Sequence, residues 1–310
     1  MENNSEIIFV LQGLNDSLTN RQIYFTLALM LYVFTILVNL ILIVTIGLET
    51  TLHEPMYVFV CNLCVNGICG ASSFYPKFLR DLLADSQTIT YSGCLTQIFV
   101  AYCYVFCEFT NLTVMAYDRY LAICKPLQYQ ALMSMHKVAK LLLLTWCFSL
   151  LETFVGVLLT ARLTICSRHV GKIFCTNWEV VKLSCSNTAG NNIYTFVLTF
   201  SHLSQTGLIL VSYTRLVRTS LQSRSSHRKF FQTCLPHLIA LLVFATSLLF
   251  DVMYSRYGGG TLQTLQNVLA VEFLVIPPLI NPIIYGIKLQ QIRSRIVHNF
   301  THKPELLRLF

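Results

Sequence analysis

Seven long apolar runs limit the folds open to this chain more than any other feature of its sequence. A helix needs about 20 apolar residues to cross a bilayer core about 30 Å thick, and each run is long enough to do so. Strands of an outer-membrane barrel would be about 9–11 residues long and would alternate in polarity, which these runs do not. We therefore predict seven membrane-spanning helices, at about residues 24–48, 57–79, 94–117, 138–161, 192–214, 234–255 and 262–286.

The composition supports a membrane location. The chain is 55% hydrophobic and only 12% charged, whereas soluble domains carry about 25% charged residues. A soluble protein of this composition would expose large apolar patches. The predicted fold class is an all-α membrane protein, a seven-transmembrane helix bundle with lipid around most of its surface.

Basic residues predict which way the bundle faces. Cytoplasmic loops carry an excess of Lys and Arg, and the segment Arg215–Lys229, after the fifth run, has five basic residues and no acid. The N-terminus is therefore expected outside and the C-terminus in the cytoplasm. We predict an extracellular tail at residues 1–23, the bundle at 24–286, and a short amphipathic helix with a cytoplasmic tail at 287–310.

The start of the chain and its net charge also fit a membrane protein. The start of the chain lacks the basic stretch and the long apolar core of a secretory signal peptide, so we expect the first helix to direct insertion. The net charge of +8 places basic cytoplasmic loops against anionic lipid, which we expect as a partner. Nucleic acid is not expected, because no basic stripe is interleaved with aromatic residues on a soluble face.

Four of the twelve cysteines fall on the extracellular side of this topology. That compartment is oxidising, so we expect two disulfides among the four. Four cysteines allow three pairings, and the sequence alone does not choose between them. The four are Cys94, Cys166, Cys175 and Cys185.

Two N-glycosylation motifs also fall outside, at Asn3 and Asn15. The same motif at Asn111 and Asn299 falls in the membrane and in the cytoplasm. We therefore expect sugar only at the first two positions.

Six short motifs occur in order along the predicted spans. They are Asn39 in LVNLILI, LHEPMYVFVCNL at Leu52–Leu63, MAYDRYLAICKPLQY at Met115–Tyr129, Ser212–Tyr213, KFFQTCLPHL at Lys229–Leu238, and PPLINPIIYG at Pro277–Gly286. Together they resemble the odorant receptors among the rhodopsin-like G-protein-coupled receptors. The resemblance covers nearly the whole chain.

This resemblance implies a function and a disulfide pairing. It implies a plasma-membrane receptor that binds a small odorant and activates a stimulatory, olfactory-type G protein to raise cAMP. Such a receptor is not an enzyme and needs no cofactor. The family pattern also implies the pairs Cys94–Cys175 and Cys166–Cys185.

The triplet Asp118, Arg119 and Tyr120 ends the third predicted helix. A charge near the inner edge of the hydrocarbon is costly and usually functional, although an isolated Arg there can also be an anchor that reaches lipid phosphate. Adjacent helical residues do not face each other, so we expect Asp118 not to clasp Arg119. In similar receptors this arginine meets the G protein, and the resemblance implies Tyr213 and Tyr285 as its polar partners here.

The resemblance implies a ligand pocket in the outer halves of the third, fifth, sixth and seventh helices. A mostly apolar cavity with a few polar groups suits a small ligand, and ordinary helix packing is the alternative for about half of the candidates. Helical spacing places the third-helix candidates near one face. The candidates are Gln97, Ala101, Tyr102, Val105, His202, Gln205, Asp251, Val252, Ser255 and Arg256.

Arg256 makes the expected ligand polar or anionic. It lies in SRYGGG, at the outer end of the sixth helix, and the planar fork of Arg suits a carboxylate. HRFG-like endings at this position mark the class I odorant receptors, so the resemblance implies the class I, water-soluble-odorant type. The alternative is that Arg256 pairs with Asp251 or Glu179.

An ion site of the family is altered in this chain. The second-helix position that usually carries an aspartate is Gly67, whereas the third-helix acid, Glu108, is retained. The resemblance implies that two such acids together hold a sodium ion. We expect at most a weakened sodium site at Glu108.

Other classes of membrane protein fit less well. A transporter often shows two similar halves with broken helices, and we find no such repeat. A membrane enzyme needs a catalytic cluster, and neither His-Glu-x-x-His nor Gly-x-Ser-x-Gly occurs. A G-protein-coupled receptor for a non-odorant metabolite stays open as the nearer alternative.

Overall fold

The computed structural model describes residues 7–12, 17–220, 238–242, 244–246 and 263–302, with side chains described except at 220, 263–270, 288 and 297–302. The long helices are α1 Leu18–Leu48, α2 Pro55–Leu83, α3 Tyr91–Cys124, α4 Met135–Ala161, α5 Ala189–Ser220, α6 (described at 238–242 and 244–246), α7 Gln263–Lys288 and α8 Gln290–His302. Two short helices, Tyr129–Leu132 and Asn177–Lys182, lie in the loops that follow α3 and α4.

The helices have the lengths that a bilayer requires. In the described ranges, α1 to α5 are each long and apolar enough to cross a membrane. Residues 271–287 of α7 meet the same criterion together with residues 290–296 of α8, and the two are bent by 90°. This bend confirms the short helix expected after the seventh span, and the architecture is the predicted helix bundle.

Short polar signals in the sequence begin and end these helices. Ser17, Thr90 and Ser134 each accept a backbone N–H of the first turn with the side-chain oxygen, at α1, α3 and α4. Pro55 opens α2, where its missing N–H costs nothing. The third helix ends just before Pro126, as expected for a residue that cannot continue it.

α3 lies at the centre of the bundle, packed against α2, α4 and α5. Polar side chains join the helices around it. Trp146 of α4 donates to Oδ1 of Asn62 in α2 at 2.8 Å, and Asn39 of α1 donates to the carbonyl of Pro278 in α7 at 2.8 Å. The outer faces of α1, α4 and α5 expose large apolar side chains, which fits contact with lipid.

A three-stranded sheet covers the extracellular end. β1, Ile8–Leu11, lies between β2, Thr88–Thr90, and β3, His169–Val170. β1 runs antiparallel to β2 and parallel to β3. The side chain of Phe9 is fully buried beneath the sheet, so the N-terminal segment is part of the extracellular cap.

Two disulfides hold the second extracellular loop. Cys94 at the start of α3 is bonded to Cys175, and Cys166 is bonded to Cys185. Of the three pairings open from the residues alone, the one implied by the resemblance is confirmed.

The predicted boundary of the extracellular tail stays a prediction. α1 begins at Leu18, inside the segment 1–23. Because a helix can extend beyond the hydrocarbon, this start does not locate the membrane surface. The glycosylation candidates Asn3 and Asn15 lie outside the described residues.

Candidate functional site

Asp118 and Arg119 form an ion pair at the cytoplasmic end of α3. The Asp118 carboxylate is 1% exposed. Its Oδ2 accepts a hydrogen bond from Nε of Arg119 at 2.9 Å and a second from Nη2. The expectation that Asp118 would not clasp Arg119 is therefore wrong. Adjacent Cβ atoms do diverge on a helix, but the long, flexible Arg stem folds back and brings the guanidinium to the carboxylate.

Tyr129 completes this cluster from the loop after α3. Its hydroxyl donates to Oδ1 of Asp118 at 2.8 Å. Burial, and then the charge of Asp118, raise the pKa of the Tyr129 phenol well above its ordinary value. The phenol therefore stays protonated at neutral pH and remains a donor. The sequence signal for Tyr129 was its place at the end of the MAYDRYLAICKPLQY motif.

The other predicted activation residues lie around this end of the bundle. Tyr213 of α5 and Tyr285 of α7 are buried in the same apolar core, which Tyr120 also contacts. The guanidinium of Arg215 lies 5.9 Å from the centre of the Tyr120 ring, joining α5 to α3. The structure thus joins Asp118 to Arg119 directly and places Tyr120, Tyr213 and Tyr285 in or against the apolar core.

A second polar cluster lies deeper, around Glu108. This acid is 1% exposed. Its Oε2 accepts from Asn66 of α2 at 2.8 Å and its Oε1 accepts from Asn281 of α7 at 2.7 Å. Sequence reasoning named Glu108 but missed these two amides, which come from helices distant in the chain.

The residues around Glu108 fit a hydrogen-bonded carboxylate better than an ion cage. Both carboxylate oxygens already have amide donors, and the described residues contain no group of three His, Cys, Asp or Glu side chains that could hold a metal ion. Position 67 is glycine, so the second acid of the family site is missing here. The weakened sodium site stays a prediction.

The third-helix ligand candidates all lie on the regular helix α3, and their common ligand-facing side stays a prediction. Gln97, Ala101 and Val105 are buried and Tyr102 is half-buried. The amide of Gln97, however, is engaged on both sides: Nε2 donates to the Ser73 carbonyl at 3.1 Å, and Oε1 accepts from the N–H of Cys175 at 2.9 Å. Gln97 therefore ties the disulfide-bonded loop to α2.

The fifth-helix candidates point toward α3. The imidazole of His202 lies 4.9 Å from the ring of Phe106 and 5.4 Å from the ring of Phe109, measured between centroids. The amide of Gln205 accepts from Thr113 at 3.4 Å. Phe109 in turn lies 6.3 Å from Phe244 of α6, so a chain of rings joins α5 to α6.

A cleft between α3, α4 and α5 opens beside these rings. Its polar wall includes Glu152, an acid in the fourth apolar run that was not among the predicted site residues. An acid within such a run is expensive and often functional, which was the signal available in the sequence. The cleft is lined by Ile98, Tyr102, Phe106, Glu152, Thr153, Gly156, Val157, Asn177, Asn191, Tyr194, Thr195 and Leu198.

The remaining ligand candidates come from the outer end of the sixth helix. Asp251, Val252, Ser255 and Arg256 lie outside the described residues. Their role stays a prediction.

Comparison with known proteins identifies the family to which this chain belongs. The family model described as "Olfactory receptor" matches residues 27–303. The chain belongs to the olfactory receptor family. Olfactory receptors are multi-pass membrane proteins and G-protein-coupled receptors for small molecules, and they are not enzymes.

Several named olfactory receptors are similar to this one over most of their length. Mouse olfactory receptor 9S13 is 34% identical over 93% of this chain and 87% of its own. Rat olfactory receptor 1468 is 32% identical over 96% of each chain. Human olfactory receptor 1P1 is 33% identical over 93% of this chain and 88% of its own.

A solved structure shows the same fold. Squid rhodopsin matches with a TM-score of 0.74 at 13% identity, over 90% of this chain and 86% of the rhodopsin chain. At that identity the match establishes the arrangement of helices in this olfactory receptor and nothing about its ligand.

Proposed function

We propose that this olfactory receptor binds a small polar or anionic odorant in the outer half of the bundle and activates a stimulatory, olfactory-type G protein to raise cAMP. It acts at the plasma membrane, with residues 1–23 outside and residues 287–310 in the cytoplasm against anionic lipid. The observation that carries the proposal is the buried cluster of Asp118, Arg119 and Tyr129 at the end of α3.

In this proposal, the cluster belongs to the resting state of the receptor. Asp118 holds the Arg119 guanidinium, and Tyr129 holds Asp118 in turn. A charge-assisted hydrogen bond is worth about 1.5–3 kcal/mol, so release of Arg119 needs a competing partner. In this proposal the G protein supplies that partner when α6 moves outward, and Tyr213 and Tyr285 receive the freed guanidinium.

The ring contacts offer a route from ligand to α6. His202, Phe109 and Phe244 follow one another across α5, α3 and α6. A ligand that displaces the His202 or Phe109 ring changes the packing of Phe244, which is fully buried. Ala101, Val105 and Tyr102 supply the apolar wall, and Gln205 lies deeper along the same route. We assign Asp251, Val252, Ser255 and Arg256 to the outer rim of the pocket.

The coupling half of the proposal is tested by replacing Asp118. Asp118→Asn removes the negative charge that holds Arg119 but keeps a similar shape. We expect higher cAMP without ligand, measured at matched surface density, and Glu49→Gln serves as an acid-to-amide control on the same side of the membrane. Unchanged basal cAMP in Asp118→Asn would show that the pair does not restrain signalling.

The ligand half is tested with short-chain carboxylic acids and their matched esters and alcohols. We expect acids to raise cAMP in the wild type and to lose potency on Arg256→Ala. The class I assignment rests on the same SRYGGG stretch and stays a prediction. Acids that are inactive on a receptor responding to neutral odorants would remove Arg256 as the anchor.

A further inference from the structure

The two disulfides of the second extracellular loop differ in their exposure to solvent. Cys94 and Cys175 are both 0% exposed. Cys166, just after α4, and Cys185, just before α5, are both exposed, and we call their bond the exposed disulfide. An exposed disulfide is accessible to attacking thiols, whereas a buried one exchanges only when the structure around it opens. The two bonds should therefore react at very different rates.

Backbone hydrogen bonds hold the two segments of the exposed disulfide together independently of the bond itself. The N–H of Cys166 donates to the Leu183 carbonyl at 2.9 Å, and the N–H of Cys185 donates to the Thr164 carbonyl at 3.2 Å. The hydroxyl of Ser184 donates to the same Thr164 carbonyl at 3.1 Å. These contacts keep the two sulfur atoms close to each other after the bond opens, so that it can form again.

The rest of the loop has its own anchors to the bundle. Cys175 is bonded to Cys94, and its N–H donates to Oε1 of Gln97 at 2.9 Å. β3 pairs with β1, and the neighbouring Phe174 is 1% exposed in the main apolar core. Opening the exposed disulfide therefore frees one end of the loop without detaching the loop from the receptor.

The loop is positively charged around the exposed disulfide. Residues 161–188 contain four Lys or Arg residues and one acid, Glu179, which is paired with Lys182. Arg168, two residues after Cys166, is exposed. Positive charge raises the local concentration of anions, and the species that attacks a disulfide is the thiolate. A thiolate that also carries a carboxylate is attracted more strongly than one that does not.

We propose that the bond between Cys166 and Cys185 is a reversible exchange site for small anionic thiols of the mercaptocarboxylate class. A thiolate attacks one cysteine sulfur, the S–S bond breaks, and the other cysteine leaves as a thiolate that takes up a proton. A second thiolate then attacks the mixed disulfide, which gives two cysteine thiols and one small disulfide. The loop disulfide is reduced and the two small thiols are oxidised. This chemistry is separate from odorant binding and does not rest on it.

The reduced receptor should stay folded but melt at a lower temperature. The exposed disulfide joins residues 19 positions apart, and closing such a loop restricts the unfolded chain. The outer ends of α4 and α5 remain joined without it. The Thr160 hydroxyl donates to Oδ1 of Asn177 in the loop at 2.6 Å and accepts from Asn191 of α5 at 3.1 Å.

The test follows each disulfide in the full-length receptor in phosphatidylcholine nanodiscs. The free cysteines are blocked, mercaptoacetate is added, newly formed thiols are alkylated, and the labelled peptides are measured by mass spectrometry. We expect Cys166 and Cys185 to be labelled about 10-fold faster, or more, than Cys94 and Cys175, because only the exposed disulfide reacts without opening of the core. Adding the oxidised form of mercaptoacetate to unalkylated receptor should restore the bond and the melting temperature.

The role of charge is tested with a neutral thiol and one variant. The rate with mercaptoacetate and the rate with mercaptoethanol are each divided by the rate of that thiol with a small uncharged disulfide, so that intrinsic reactivity cancels. We expect the anionic thiol to have the higher ratio and to lose this advantage in high salt. Arg168→Gln should slow it about 2-fold, as one exposed charge at short range in water would, and should not slow the neutral thiol. Arg293→Gln, an exposed position on α8, is the matched control and should change neither rate.

The outcomes decide each part of the proposal. Equal labelling rates at the two disulfides, or loss of folded receptor when the exposed disulfide opens, overturns the exchange site. Equal ratios for the two thiols overturn the preference for anionic thiols. The double change Cys166→Ser and Cys185→Ser gives the open form without reductant, and it should fold and melt below the wild type; failure to fold contradicts a reversible site. None of these measurements uses cAMP, so they stand apart from the proposed signalling.

Discussion

Replacing Gly70 with alanine should force α2 and α3 apart at one point. A Cβ at Gly70 would lie 2.5 Å from Cδ2 and 2.6 Å from Cγ of Tyr104. These atoms are at the base of a ring that is 1% exposed, so the ring cannot swing away. The Tyr104 hydroxyl also donates to the Phe273 carbonyl in α7 at 3.1 Å, and a shifted ring loses that bond.

The magnitude follows from these contacts. Overpacking a core typically costs about 1–3 kcal/mol, and a lost hydrogen bond adds about 1 kcal/mol. The change also stabilises the helix by about 0.5–1 kcal/mol, because alanine favours the helical backbone more than glycine does. The net loss should be about 1–3 kcal/mol, and each kcal/mol should lower the melting temperature by about 2–4 °C.

Gly47→Ala is the matched control. No atom lies within 4 Å of the Cβ that it would add, so only the helix preference of alanine acts and the receptor should melt slightly higher. The measurement is thermal unfolding of the two purified variants beside the wild type. Combining Gly70→Ala with Tyr104→Leu should cost less than the sum of the single changes, because the smaller side chain relieves the clash. Identical melting of the Gly70 and Gly47 variants would refute the packing argument.

Four further substitutions test three other parts of the receptor. Arg119→Ala should reach the cell surface normally yet give no ligand-driven cAMP, and a normal response at matched surface density would contradict the proposed role. Cys94→Ser and Cys175→Ser should each reduce folded receptor, since a disulfide typically contributes about 2–4 kcal/mol; intact maturation of both would show that the bond is dispensable. Gly67→Asp should make sodium raise the melting temperature, whereas the wild type should show little sodium dependence, and equal dependence in both would contradict the altered ion site.

The helices and disulfides could be predicted from the sequence because their causes are local or are carried by the family pattern. Apolar runs of sufficient length predict spans, and four extracellular cysteines predict bonds. The amide partners of Glu108 could not be predicted, since Asn66 and Asn281 meet it only through the rotation and tilt of α2 and α7.

Side-chain conformation limited the prediction of the sites. Asp118 and Arg119 were identified from their motif, but their contact depends on how one long side chain folds back. His202 was a ligand candidate from its position on α5. Its partner Glu152 was not, because the two meet only when α4 and α5 pack with these faces together. Gln97 was a ligand candidate from its helical spacing, yet its amide is already bonded to backbone groups.

The extracellular sheet is completed long after its first strand has been synthesised. Val10 of β1 pairs with Thr88 and with His169, so the first strand to leave the ribosome keeps one edge unpaired until the second extracellular loop has emerged. At about 5–20 residues per second, that wait is roughly 10–30 s. During it, Phe9 lacks Val170 and Cys175 of its final core, and the N-terminal segment stays accessible to chaperones and glycosylating enzymes. Closing the cap is thereby tied to completing the second loop, and a receptor stalled before that loop would display a strand with one unpaired edge to the quality-control machinery.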